Sequence, residues 1–368
     1  MRAGGGLTLG APLLATITLA GQGDGIAVVA GLLHDAMRAG WGRECRAVTM
    51  FDGAARAPEL SDKIRFAIQL GRQTLVARPT WMLANHLGLL KALGATPAPL
   101  RPPHAVFLHG IEAWRRLTPA DHRWVAGARL RLANSGYTAK RTLASNPGIG
   151  PIETCPLALP DSRLPREPGP SAQVPELGPH AVLAVGRMSA AERYKGHDEL
   201  LAAWPAIRAR VADAQLVLAG GGDDVLRMKA AAADESFGGS VHVLGFVPDD
   251  DLELLYRRAA IFALPSSGEG FGLVYLEAMA RGLPCVALRE SAAADIVADG
   301  ETGCLVPARQ PDALAGVLSS LLRDRDRRAA MGASARARVA AEFSRTRFEQ
   351  RAIAALAAAF GPAPASRR

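Results

Sequence analysis

Residues 261–280 read Ile261-Phe-Ala-Leu-Pro-Ser-Ser-Gly-Glu-Gly-Phe-Gly-Leu-Val-Tyr-Leu-Glu-Ala-Met-Ala280. An apolar strand, Ile261 to Leu264, runs into a loop with glycine at 268, 270 and 272, and a helix starts near Phe271. The glycines let backbone N–H groups approach a ligand closely, and the positive end of the helix points to the same place. Strand, glycine turn and helix together make an anion site suited to a diphosphate. Glu269 lies in that loop, and Glu277 follows about one and a half turns into the helix. A carboxylate beside a phosphate is repelled unless it faces hydroxyls, so both glutamates suit the hydroxyls of a sugar. Taken alone, Glu277 reads as an exposed helix glutamate.

The same alternation extends outward from this segment. His180 to Val185, Gln215 to Ala219, Val241 to Leu244 and Cys285 to Leu288 are further strand candidates with helical segments between them. Before them, Leu13 to Leu19, Arg46 to Phe51, Thr74 to Ala77, Ala105 to Leu108 and Leu130 to Ala133 repeat the pattern. Continuous apolar strands separated by amphipathic helices predict parallel sheets covered on both faces. The stretch Pro160 to Pro179 holds six prolines and reads as a linker. The expected fold class is therefore α/β, with two Rossmann-like doubly wound domains facing across a cleft, at residues 1–165 and 166–344. Residues 345–368 form a last helix, Arg345 to Phe360, and a Gly-Pro-Ala-Pro tail. In such a pair the ligand is expected in the cleft at the carboxyl ends of the strands.

A second charged cluster belongs to the same end. The strand ending at Val185 runs into Gly186-Arg187, and Lys195-Gly196-His197 opens the next helix. Arg187 and Lys195 thus leave a strand's carboxyl end as two cations able to clamp a diphosphate.

Composition sets the outer limits. The 368 residues are 49% hydrophobic and 21% charged, too apolar for a disordered chain, and no apolar run is long enough to span a bilayer. The apolar opening, Leu9 to Ala20, is read as a first buried strand rather than a signal peptide. Cys45, Cys155, Cys285 and Cys304 are scattered, which indicates neither a disulfide framework nor a zinc site and fits a reducing cytoplasm. The net charge of +8 is uneven: residues 1–170 hold 20 of the 43 Lys+Arg but 11 of the 35 Asp+Glu. The densest run, Arg115, Arg116, Arg123, Arg129, Arg131, Lys140 and Arg141, reads equally as a solvated arginine-rich surface and as one that attracts anionic membranes, nucleic acid or phosphorylated substrates. Aromatic residues make up 5% of the chain, too few for a base-stacking platform, so nucleic acid is not an expected partner.

Several motifs in order carry a resemblance: Gly186-Arg187 with Lys195-Gly196, Leu218-Ala-Gly-Gly-Gly-Asp223, Leu244-Gly-Phe-Val-Pro248, Glu269-Gly-Phe-Gly, Glu277-Ala-Met-Ala and Asp299-Gly-Glu-Thr-Gly303. The second half resembles the family 4 retaining glycosyltransferases of GT-B fold, of the bacterial cell-envelope or exopolysaccharide type. In the first half, Gly21 to Gly25 resembles the family's first glycine loop, His109-Gly110 its cleft histidine, and Ala133-Asn-Ser-Gly-Tyr-Thr138 its serine turn.

The resemblance implies that the second domain holds a nucleotide-sugar donor, linked to UDP or GDP, and the first an acceptor hydroxyl on a glycan, a lipid-linked group or a small molecule. By that likeness Arg187 and Lys195 bind the diphosphate and Glu277 the ribose. Glu269, with the backbone of Gly270, Phe271, Gly272 and Leu273, contacts sugar and phosphates, while Phe246 and Val247 border the base. His109 lies near the sugar, and Gly23, Asp24 and Gly25 line the acceptor side. His109 and Glu269 are the expected catalytic pair, with Glu269 positioning the sugar rather than attacking it.

Cations and N–H dipoles at the leaving diphosphate take up the charge that builds there, so neither a metal nor a cofactor is expected. Asp249-Asp-Asp251 and Asp324-Arg-Asp326 match an Asp-x-Asp metal pattern but read as helix caps and solvated faces. The chain departs from the family in two places. Eight residues separate Arg187 from Lys195, as if Ser189 to Tyr194 were inserted, and Ser291-Ala-Ala-Ala-Asp295 stands where Gly-Gly-x-x-Glu is usual. Alternative readings are a GT-B epimerase or phosphorylase, and a non-catalytic glycan- or nucleotide-binding protein. The expected location is cytoplasmic, peripheral on the inner face of the membrane.

Overall fold

The computed structural model of the protein describes residues 10–20, 25–53, 56–169 and 174–362. These divide into two compact units: one of residues 1–160 with 345–368, the other of residues 161–344.

The first unit is built on six strands: β1 (Leu13–Thr16), β2 (Arg46–Thr49), β3 (Met82–Ala84), β4 (His104–Leu108), β5 (Leu130–Ala133) and β6 (Glu153–Thr154). They pair in parallel in the order β2-β1-β3-β4-β5-β6. All side chains of β1, β3, β4 and β5 are buried, as a sheet covered on both faces requires. The last helix, Arg345–Phe360, packs on the helix Gly25–Trp41. There Arg345 pairs with Asp35 at 2.9 Å, and Phe360 stacks on Trp81 at 4.8 Å.

One expected strand is wrong. Thr74 to Ala77 forms the final turn of the helix Leu60–Ala77, with Thr74 and Ala77 buried but Leu75 and Val76 exposed, which is a helical rather than a pleated pattern. Arg78 ends that helix in the left-handed region at φ 44°, and the true strand is Met82–Ala84. A short apolar run has the same composition in either state, so periodicity alone does not separate them.

The second unit repeats the architecture with β7 (Ala181–Val185), β8 (Gln215–Ala219), β9 (Val241–Gly245), β10 (Ile261–Ala263), β11 (Cys285–Leu288) and β12 (Gly303–Val306). Their parallel order is β12-β11-β10-β7-β8-β9. The order reverses between β7 and β10, so connections leave these two neighbours toward opposite sides and open a crevice at their carboxyl ends. Fully buried Trp204 and Tyr275 anchor the core, the first donating from Nε1 to Ser240 Oγ at 2.9 Å and the second from its hydroxyl to the Leu264 carbonyl. The segment after Asp161 is fastened to this unit: Arg163 pairs with Asp249 at 3.4 Å and Glu167 with Arg257 at 3.0 Å. All four cysteines are free and buried.

Candidate active site

Both charged clusters of the second unit emerge at its switch point, one from β7 and the other from β10. Gly186 follows β7 and donates its N–H to the Ala219 carbonyl at 3.0 Å, while Met188 donates to Gly221 at 2.9 Å. The chain after β7 therefore lies against the glycine turn after β8. At φ +147° and +146°, Gly220 and Gly222 leave no room for a side chain: a Cβ on Gly220 would lie 2.7 Å from the carbonyl carbon of Gly186. After β10, the loop from Pro265 to Gly272 enters the helix Leu273–Ala280, which starts two residues later than the sequence suggests. Gly272 caps it at φ 100°.

Lys195 and Glu269 meet here. Lys195 Nζ lies 2.6 Å from Glu269 Oε1, with the lysine side chain 19% and the carboxylate 12% exposed. A pair this enclosed is weakly screened by water, unlike an ordinary surface ion pair. Arg187 takes a different position: its side chain is open to solvent, and its Nε sits 3.6 Å from Glu192 within the inserted loop. Gly270 and Phe271 continue the loop beyond Glu269, Leu273 opens the helix, and Phe271 is buried with its ring centroid 6.1 Å from that of Phe343. Phe246 and Val247 follow β9; Phe246 is 80% exposed, and its Cβ lies 3.5 Å from where a Cβ on Gly221 would stand.

Glu277 is the clearest departure from a sequence reading. It is buried, not exposed, and accepts a 3.1 Å hydrogen bond from the Tyr256 hydroxyl. Burial raises its carboxyl above the ordinary glutamate range, opposed by Arg163, the Tyr256 hydrogen bond and Arg281. Arg281 donates to the Glu277 carbonyl at 2.9 Å and forms an ion pair with buried Glu253. Tyr194 has no counterpart among the motifs that drew attention to the site. Burial, then Glu192 and Glu269, push its hydroxyl up to about 12, so it stays protonated.

The first unit has its own switch point between β1 and β3. Asn85, just after β3, donates from Nδ2 to Thr16 Oγ1 and to the Ile26 carbonyl, both at 3.1 Å. His109 follows β4, and its Nε2 faces both the carbonyl and the Oδ1 of Asn85. Two acceptors assign the proton to Nε2 and leave the Nδ1 lone pair free to accept a proton or a hydrogen bond. The His109 N–H donates to Glu112 at 2.6 Å, and its carbonyl accepts from Asn134 at 2.7 Å. His86 lies beside it with ring centroids 6.3 Å apart, a neighbour hidden in the sequence because β3 was placed too early. In the serine turn, Ser135 caps the helix Gly136–Ser145 through a 3.0 Å bond from Thr138 N–H. Gly25 begins the helix Gly25–Trp41, while Gly23 and Asp24 fall outside the described residues.

The basic run needs one correction. Arg131 is buried and donates to the carbonyls of Pro151, Val125 and Ala128, so it holds a loop together and does not belong to the cationic surface. Arg141 lies 4.5 Å over the Trp114 ring.

Residues 172–338 match the family model described as Glycosyl transferases group 1. That match takes in most of the second unit, residues 161–344. The resemblance read from its motifs is thereby borne out. The chain is 33% identical over 219 residues to a GDP-mannose-dependent alpha-(1-6)-phosphatidylinositol monomannoside mannosyltransferase of Mycobacterium tuberculosis, covering 57% of this chain and 56% of that protein. A GDP-mannose-dependent monoacylated alpha-(1-6)-phosphatidylinositol monomannoside mannosyltransferase of Corynebacterium glutamicum is 39% identical over 157 residues, 41% of this chain and 40% of its own length. The chain thus spans about half the length of the curated relatives it matches. Among solved structures, Anabaena HepE with UDP and glucose superposes with a TM-score of 0.72 at 17% identity, covering 94% of this chain and 99% of that one. Sucrose-phosphate synthase from Thermosynechococcus elongatus gives 0.72 at 19%, covering 92% and 96%. These likenesses show the GT-B fold.

Proposed function

We propose that this chain is a retaining glycosyltransferase that moves a mannosyl group from GDP-mannose to a hydroxyl of a lipid-linked acceptor, without a metal, from the cytoplasmic face of a membrane. The observation that carries this reading is the enclosed Lys195–Glu269 pair at the β7/β10 switch point, a cation for phosphate beside a carboxylate for sugar hydroxyls. GDP-mannose is named because it is the donor in the names of the relatives.

In the reaction proposed, the bond from C1 to the β-phosphate oxygen breaks, and the acceptor oxygen bonds to C1 on the same face. The acceptor proton passes to the departing phosphate. Lys195, Arg187 and the N–H groups of the glycine loop meet the charge that develops there, Glu269 orients the sugar, and Glu277 accepts from the ribose. His109 is the residue of the first unit that this reading assigns to the acceptor.

A feature of the helix Leu60–Ala77 supports a membrane-borne acceptor. Leu60, Ile64 and Ile68, spaced by four residues on one face, are 73%, 51% and 65% exposed. Lys63, Arg65 and Arg72 flank them. An apolar stripe edged by cations is the pattern of a helix that lies in an anionic interface. Among the described residues no helix is long and apolar enough to cross a membrane.

A thermal-shift panel of GDP-mannose, UDP-glucose and ADP-glucose, with and without EDTA, tests the donor. GDP-mannose should raise the melting temperature equally in both conditions. No shift with any nucleotide sugar would remove the transferase reading. NMR of the product should show the donor's anomeric configuration preserved. Vesicles containing phosphatidylinositol should sediment the native protein at low salt but not Ile64→Glu/Ile68→Glu; equal sedimentation of that variant would end the membrane assignment.

A further inference from the structure

The eight-residue interval between Arg187 and Lys195 raises the question of how a lengthened loop still delivers its lysine to the donor site. The residues on either side of Lys195 answer it. Tyr194 accepts a 2.9 Å hydrogen bond at its carbonyl from the Ser267 N–H. Its ring lies flat against Gly268, so closely that a Cβ there would be 2.6 Å from Cε2. Gly196, at φ +90°, packs on Pro265, where a Cβ would come 2.6 Å from the carbonyl carbon. Lys195 is thus held on both sides by the loop that carries Glu269. At the far end of the same segment, Ala190 N–H donates to Asp223 at 3.0 Å.

We propose that Tyr194 is a positioning residue of the donor site: its ring, seated on Gly268, clasps the inserted loop to the glycine loop and so sets Lys195 against Glu269. The inference rests on the donor reading given above. It explains why position 268 is glycine, a requirement distinct from phosphate approach. The ring needs a flat, Cβ-free seat, and its hydroxyl plays no part.

Calorimetric titration with GDP-mannose, together with donor and acceptor kinetics, tests the clasp in five variants: Tyr194→Ala, Tyr194→Phe, Gly268→Ala, the double variant Tyr194→Ala/Gly268→Ala, and Lys195→Ala. A displaced lysine should raise the donor KM about tenfold in Tyr194→Ala while leaving the acceptor KM unchanged. Tyr194→Phe should restore donor affinity to within about twofold of the native protein, since the ring is kept. Gly268→Ala should weaken donor binding as much as loss of the ring. In the double variant the added methyl should cost nothing further, because the ring it displaces is gone.

A native donor KM in both Tyr194→Ala and Gly268→Ala would overturn the proposal, as would simple additivity in the double variant. Melting curves identify a variant that fails to fold, in which case Gly268→Ala and Tyr194→Phe carry the test. Lys195→Ala separates the two levels. Native donor affinity in Lys195→Ala removes the donor reading itself. Lost affinity there, with native affinity in Tyr194→Ala, removes only the clasp.

Discussion

Glu277 sits where its charge is costly. Burial raises its folded pKa, so the folded state holds a proton more tightly than the unfolded chain does. Folding is therefore favoured by this group at pH values below the unfolded carboxyl range, and that advantage is lost as pH rises through the folded pKa. Glu277→Gln keeps the shape and removes the charge. At neutral pH its melting temperature should equal or exceed that of the native protein, while donor KM rises about tenfold because a neutral amide replaces the charged acceptor of the ribose hydroxyls. A lower melting temperature with unchanged KM would mark Glu277 as a structural anchor for Tyr256 instead. For native protein, the same shift makes donor binding weaken on acidification earlier than an ordinary carboxylate would, measurable as a pH profile of KM.

At the scale of elements, the junction between β7 and the helix His197–Arg208 carries a pH liability. His197 is buried in the first turn of that helix, and burial, reinforced by Lys195, lowers its pKa from 6.5 to about 4. Its Nε2 is buried without a hydrogen-bond partner. The depressed value gives stability that is fully present above pH 6.5 and is lost as pH falls toward 4, on the order of 3 kcal/mol in total. Melting temperature should fall across that window, and His197→Leu should flatten the fall. The glycine turn after β8 offers a second test. Gly220→Ala must either displace the chain after β7 or shift the turn, and should cost several kcal/mol, measured by urea unfolding.

Most strands of this unit were legible because they are apolar runs, and those ending at Val185, Ala219, Gly245 and Ala263 lead into glycine turns; Gln215–Ala219 and Cys285–Leu288 have the bounds expected of them. Its last strand, Gly303–Val306, and the edge strand Glu153–Thr154 of the first unit escaped, being short and without a distinctive pattern. Within the site, Lys195 and Glu269 were legible from motif spacing, but their contact was not. Nor was the burial of Glu277, which depends on Tyr256 arriving from another helix. His86 was missed for a local reason, since placing β3 at Thr74 to Ala77 hid the residue that follows the real strand.

Across the whole molecule, the first unit is completed by residues far from it in sequence. Phe348, Ala352 and Leu356 of the last helix are fully buried, and Phe360 covers Trp81. Removing everything after Ser344 uncovers these surfaces, and at roughly 2 kcal/mol for each large apolar side chain the loss approaches the stability of an ordinary domain. Calorimetry of the truncated chain should show the transition of the first unit lowered or absent and that of the second unit retained. An unchanged pair of transitions would mean that the last helix adds little to the unit it packs on.

This split in the first unit also fixes an order of events on the ribosome. Residues 161–344 are contiguous, so the second unit has all its parts as soon as they leave the exit tunnel. The first unit, although synthesised earlier, has Trp81 and the outer side of the helix Gly25–Trp41 bare until residues 345–360 emerge. Throughout that interval the nascent chain presents a sticky, half-finished apolar face.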